Sequence, residues 1–525
     1  IKHFPMNSIK DKKWIHWERR RSKKINSFNF IYIIALCFIA YFPILQSNLL
    51  WNNYDQITRS VYPELQSWKS IFSPTIFWNE NPLALLSYFL ESVLPFNDAF
   101  VHRFLNILLH SGATILLYRL LNRLHISGAF ITSLFFAVHP VVIQTLFWPG
   151  YRSSLILLCL ILWCLFLALD RKKEKARKTA LALSVIAALI HPIAIIIPVC
   201  LFLNVFAKNK KFELTNFNKI IPYIITVFLL VILAETFENN NAQEYSQVST
   251  SVQEVRPHFL YQFSEYIKLI YLPFGTAFFI PVESAIEINA FILFPILLFA
   301  AIYLSLFISI SKIWARLLIM GMSVLLTLLI YASSQKGSFL DGSLALDESL
   351  IYIALIPAIT LVTSTINAFV VRKIPKLSII WFSFAGFLIL VSIGTSISRG
   401  MQINGTLKVW EFFNANWSQS LVPKQAISDY LMNNPYGKYD IDDHIYFLEF
   451  ITERDNQDIE RKIQLARLYV KDKQNTNASK TYESIVNTNE TLDKAILEEV
   501  ANHFEVQGLY REARIMRNRL NEMAQ

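Results

Sequence analysis

The stretch Val101–Leu121, VHRFLNILLHSGATILLYRLL, decides how the rest of the chain is read. Its charged residues, Arg103 and Arg119, stand near the two ends, and the residues between them are mostly apolar. A helix rises about 1.5 Å per residue, so about 20 apolar residues are needed to cross roughly 30 Å of hydrocarbon. The stretch therefore reads as a membrane span. Comparable runs lie at 28–45, 128–148, 153–169, 218–235, 289–310, 314–332, 350–371 and 378–397. Residues 175–207 form either one helix or two short ones meeting at His191-Pro192.

Composition agrees with that reading. Of 525 residues, 54% are hydrophobic, 41 are Phe and only 17% are charged, and the mean hydropathy is +0.38. Soluble domains run nearer a quarter charged, so an ordinary cytosolic enzyme, a disordered chain and a collagen-like chain are excluded. The four cysteines, Cys37, Cys159, Cys164 and Cys200, all sit in apolar runs as small packing residues, and indicate neither a disulfide framework nor a metal site.

The net charge of +10 is unevenly placed. Residues 1–27 carry nine Lys/Arg against two Asp/Glu just before the first apolar run, which marks the cytoplasmic side rather than a nucleic-acid partner. No small-residue cleavage pattern closes that run, so an uncleaved anchor is expected. Two helices at 175–207 put Arg171 to Lys178 and Lys208 to Lys211 on one side. The total is then eleven spans with the N-terminus inside. Outer loops follow at 46–100, 236–288 and 333–349, together with everything after residue 400. A bacterial inner membrane with a periplasmic tail is expected, or a lumenal tail in a eukaryote. Any site opens on the outer face.

From residue 401 there are 15 Lys/Arg against 19 Asp/Glu and no run long enough to span. Ala466, Tyr469, Ala478, Tyr482 and Ile485 recur 35 residues later as Ala501, Phe504, Ala513, Arg517 and Leu520, with Gly508 at the turn between paired helices. A repeat near 34 with small residues at helix crossings is the tetratricopeptide signature, and the stretch around Gln425 to Pro435 supplies a degenerate third unit. Tyr469, Tyr482, Phe504 and Tyr510 are the expected partner contacts of a docking surface; the alternative is a helical cap over the membrane domain. Asn404, Asn416, Asn477 and Asn489 begin Asn-x-Ser/Thr triplets, which chance accounts for in so Asn-rich a chain.

The order of features now suggests a family: basic tail, span, long outer loop, Phe104 to His110 (FLNILLH), Phe135 to Pro140 (FFAVHP), Trp148 to Arg152, a Pro-interrupted helix pair and an outer repeat tail. This resembles the membrane-embedded GT-C glycosyltransferases, most closely the transmembrane and tetratricopeptide-repeat type that includes O-mannosyltransferases. The resemblance implies an all-α polytopic bundle and sugar transfer from a polyprenyl-phosphate donor, with a first-loop carboxylate as base or metal ligand and cations for the lipid phosphate. A divalent metal enters only if the enzyme is active. The chain departs from that pattern at six positions. Asn52 and Asn53 stand where the family carries adjacent aspartates, and Asn81 where it has Arg. Gln144 replaces a Glu, His191 with Pro192 a Lys-Glu, and Ser349 an Arg. An amide accepts no proton at neutral pH, and losing a general base costs about 10² to 10⁴ in rate.

Asp55 is the surviving first-loop carboxylate, either a catalytic group in shifted register or a solvated loop residue. Arg152 and His139 are the candidates for lipid phosphate, since Arg meets phosphate bidentately; the plainer readings are an interface anchor for Arg152 and a Pro-kink carbonyl as the partner of His139. Asn106 and His110, four apart, share a helix face and either join helices or meet a substrate. Asp347 and Glu348 begin a span, and His102 and Arg103 anchor at the interface. No Gly-rich phosphate loop, Cys/His metal spacing, Gly-x-Ser-x-Gly or Rossmann fingerprint is present. The expectation is a catalytically degenerate scaffold subunit with a protein partner on its outer face and no nucleic acid. An active glycosyltransferase is the rival, and a secondary transporter a remoter one, without the usual internal repeat.

Overall fold

The computed structural model describes residues 28–46, 82–92, 99–124, 126–147, 151–169, 174–208, 220–229, 267–271, 349–403, 406–416, 421–433, 439–454, 458–486 and 493–523. Among them every regular element is a helix and none is a strand. The chain divides into two compact units, Ile1–Thr406 and Leu407–Gln525.

In the first unit, α1 (28–41) continues into a 3₁₀ turn at Phe42–Gln46. Then come α2 (Pro82–Ser92), α3 (Ala99–Arg123), α4 (Ala129–Val138), the short α5 (Val142–Phe147), α6 (Arg152–Ala168), α7 (Glu174–Ile190) and α8 (Ile196–Lys208). Helices at 221–229 (α9) and 267–271 (α10) precede α11 (Ser349–Lys373) and α12 (Ser378–Gln402). The centre is α3, which packs on α4, α5 and α6; α11 packs on α4, α5, α6 and α12, and α2 lies against α6.

Prolines set the breaks. α4 ends at Val138 because the residue before a proline avoids helical angles, and His139 is extended at φ −68°, ψ 128° ahead of Pro140. α7 stops at Ile190 for the same reason. His191 Nδ1 accepts from the backbone N–H of Ile193 at 3.1 Å, and a 3₁₀ turn at Pro192–Ile195 leads into α8. Gly128, at φ +77° before α4, holds the left-handed conformation that favours glycine, and a Cβ there would press on Asn367 of α11 at 3.1 Å from its Cβ.

Among the described residues, three helical segments are long and apolar enough to cross a membrane: Phe28–Gln46, Phe100–Arg123 and Pro375–Gln402. The last has only 22% of its most apolar window buried. Its side chains Ile379, Ile380, Phe387 and Leu390 are all more than half exposed, a surface suited to hydrocarbon rather than water.

The second unit holds α13 (Thr406–Asn416), α14 (Leu421–Asn433), α15 (Ile441–Arg454), α16 (Ile459–Lys471), α17 (Asn475–Val486), α18 (Lys494–Val506) and α19 (Tyr510–Met523). From α14 onward each helix packs on the next. The pair α16–α17 recurs as α18–α19 with an offset of 35 residues, down to the bonds of the turn. Gln474 N–H donates to Tyr469 O at 2.8 Å, and Leu509 N–H to Phe504 O at 2.8 Å. The residues with positive φ, Lys473 (62°) and Gly508 (74°), are likewise 35 apart. Ala466, Ala478, Ala501 and Ala513 are buried where the paired helices cross.

This geometry corrects the expected docking contacts. Tyr469, Tyr482 and Phe504 are buried, filling the space between helix pairs. Only Tyr510 is on the surface, 72% exposed. Large side chains flanking a small one are what a helix crossing needs, so the same pattern that marks the repeat places them in the core.

Candidate functional site

Arg152 is the first residue of α6 and fully buried. A cation at a helix N-terminus opposes the helix dipole, so this side chain needs acceptors from elsewhere. They come from α2 and α3. Nε donates to Oδ1 of Asn106 at 2.8 Å. Nη1 donates to Ser87 Oγ at 3.2 Å and pairs with the carboxylate of Glu91. Nη2 donates to the carbonyl of His102 at 2.9 Å and faces its ring. Tyr88 lies against the guanidinium, its centroid 4.7 Å away.

Glu91 is the acid that sequence reasoning missed. It is buried in the last turn of α2, again against its own helix dipole, and contacts both Arg152 and Nδ1 of His102. The two dipole-opposed charges offset one another across the α2–α6 contact. The available signal was modest: Glu91 is the one acid in the apolar segment PLALLSYFLES.

Below this cluster α3 carries a polar residue at every fourth position: His102, Asn106, His110, Thr114, Tyr118 and Asn122. Four residues are 400° of a 3.6-residue helix, so the seam advances 40° per step and each rung meets a different neighbour. Asn106 Nδ2 donates to Leu146 O on α5 at 3.0 Å. His110 Nδ1 lies 3.0 Å from Tyr352 OH on α11, and its Nε2 lies 3.2 Å from Ala137 O on α4. Tyr118 OH accepts from Asn29 Nδ2 on α1 at 2.6 Å. The pair Asn106 and His110 thus joins helices, as the plainer of its two readings has it.

His139 is buried with both ring nitrogens in use. Nδ1 accepts from Val141 N–H at 3.4 Å, so Nε2 carries the proton and donates to Ile270 O at 3.1 Å. Of the six departures from the family pattern, Gln144 is buried on α5, His191 caps the α7 break and Ser349 opens α11. Asn52, Asn53 and Asn81 lie outside the described residues, as does Asp55. Among the described residues no group of three or more His, Cys, Asp or Glu could hold a metal ion.

Cavities open among the described residues of this unit. One of about 140 Å³ is lined by leucines and isoleucines of α3, α6, α8 and α11, with Thr360 and Ser364. Another, about 280 Å³, is bounded by His139, Tyr271, Thr363, Trp381 and Ser392 among apolar residues. No protein-family model matches the chain, and no curated protein matches it in sequence.

Proposed function

We propose that the chain is a GT-C-type integral membrane protein of eleven spans whose sugar-transfer chemistry is retired, and that it serves as a scaffold subunit holding a protein partner on the outer face. The bacterial inner membrane, with the second unit in the periplasm, is its setting, and that unit is a tetratricopeptide-like array. The observation that carries this reading is the engagement of Arg152 within the protein. Each of its three nitrogens already has an acceptor, and Glu91 fills the position of an anion. With four of its five N–H groups taken and its charge met by Glu91, this arginine is poorly placed to hold a lipid phosphate as well. The amides at Asn52, Asn53 and Gln144 support the same conclusion.

Purification of the native chain in mild detergent tests the proposal: another membrane protein is expected to accompany it in fixed ratio, and Asp55→Asn is expected to leave that assembly intact. The rival, an active glycosyltransferase using a polyprenyl-phosphate sugar, is favoured by the retained Asp55 alone. Sugar transfer by the purified protein that Asp55→Asn abolishes would establish the rival and end the scaffold reading.

A further inference from the structure

Gln144 and Thr145 sit side by side on α5, 1% and 0% exposed. Among the described residues, neither end of the Gln144 amide has a hydrogen-bond partner, and neither does the Thr145 hydroxyl. Four other buried hydroxyls of this unit are treated differently, although Thr360 and Thr365 on α11 also lack a partner among the described residues. Ser111, Thr114, Ser133 and Thr363 each donate to the carbonyl four residues back, at 2.7–2.8 Å. Thr145 makes no such bond to Val141, four residues back in the turn before α5. Three other buried amides of this unit are satisfied: Asn29 through Tyr118, Asn106 through Arg152 and Leu146, Asn367 through Ser127 and Trp381.

A primary amide and a hydroxyl buried dry forfeit all their water hydrogen bonds without return, and Leu or Val would fill the same space at no such penalty. The position adds a second argument. The segment 137–147 is fastened to α3 at two rungs of its seam, by Ala137 O to His110 and by Leu146 O to Asn106. Gln144 and Thr145 fall between these two fastenings in sequence. The groups that Gln144 and Thr145 offer, an amide and a hydroxyl, are themselves neutral.

We infer that Gln144 and Thr145 form a buried site for ordered water, which extends the polar seam of α3 into α5. All six residues of α5 are buried, so the guest inferred is the smallest hydroxyl, water. The inference is independent of whether the chemistry of the outer face is retired.

Two measurements on the full chain in detergent test it. In the first, synchrotron radiolysis makes hydroxyl radical from water in place. Leu146 and Phe147 are expected to oxidise well above Phe136, which is equally buried but packed on the rings of His110 and Tyr352. Oxidation of Phe147 no greater than that of Phe136 overturns the inference. In the second, thermal unfolding of Gln144→Leu and Thr145→Val gives opposite signs for the two cases. A watered site predicts a fall of about 2–4 °C for each, because water loses its partners. A rise or no change shows that the groups were dry, and overturns the inference as well.

Discussion

Glu91 and Arg152 are a buried pair, and the penalty for such a pair lies mostly in breaking it. Removing one partner strands the other's charge, at a cost of about 3–5 kcal/mol, whereas replacing both with apolar groups is far milder. Thermal unfolding should therefore show Glu91→Leu and Arg152→Leu each strongly destabilised, with the double variant well short of their sum. Additive losses would mean that the two charges do not act as a unit. Asn106 and His110 were legible as co-facial from spacing alone, because i and i+4 share a helix face whatever the fold. Glu91 was not, since what distinguishes it is a partner 61 residues away and the burial that partner requires.

At the level of the helix, the two turns of the second unit invite a direct comparison. Lys473 and Gly508 hold the same left-handed conformation, which costs a residue with a Cβ about 1 kcal/mol. Gly508→Ala should weaken α18–α19 by about that amount through the backbone alone, as nothing lies within 4 Å of its Cβ position. Lys473→Gly should strengthen α16–α17 by up to about 1 kcal/mol. Hydrogen–deuterium exchange of these helices in the full chain reads both, and a slower exchange for Gly508→Ala would refute the strain argument. The break at His191-Pro192 was readable beforehand because proline acts on its immediate neighbour. The roles of Tyr469 and Tyr482 were not. Their hydroxyls reach Glu449 and Glu499 while their rings fill the core, and a sequence pattern that gives size and spacing says nothing of which end faces water.

Over the whole molecule, His444, Glu499 and Lys424 of the second unit couple its stability to pH in the same direction, while Asp429, raised by burial, opposes them on the acid side. Burial, with Lys471 nearby, brings His444 down to about 4, and its Nε2 lies 3.1 Å from Ser428 Oγ. The unfolded chain holds more protons between pH 6.5 and 4, so stability falls on acidification through that window. Hydrogen bonds from Arg467 hold Glu499 below the usual carboxylate range, which adds a loss at lower pH of the same sign. Burial brings Lys424 down to about 8, so stability also rises from pH 8 toward 10.5. Exchange protection of α14–α18 should follow this profile, and His444→Phe should flatten the part between 4 and 6.5. A pH-independent profile would contradict the burial of these groups. Under the proposed topology, alkaline phosphatase joined after Gln525 should be active and a fluorescent protein joined before the basic tail should glow; the reverse would invert the membrane orientation. The winding seam of α3 bears finally on how such a chain is made. His110 finds Tyr352 only 242 residues later in synthesis, and Asn106 waits for Arg152. Under the proposed membrane reading, α3 offers bare polar groups to lipid until those helices emerge, and its hydropathy of 1.4 is lower than the 2.2 of Phe28–Gln46 and Pro375–Gln402. That reading then requires α3 to be kept beside the insertion machinery, or in a wet vestibule, and to enter the bilayer as part of a group.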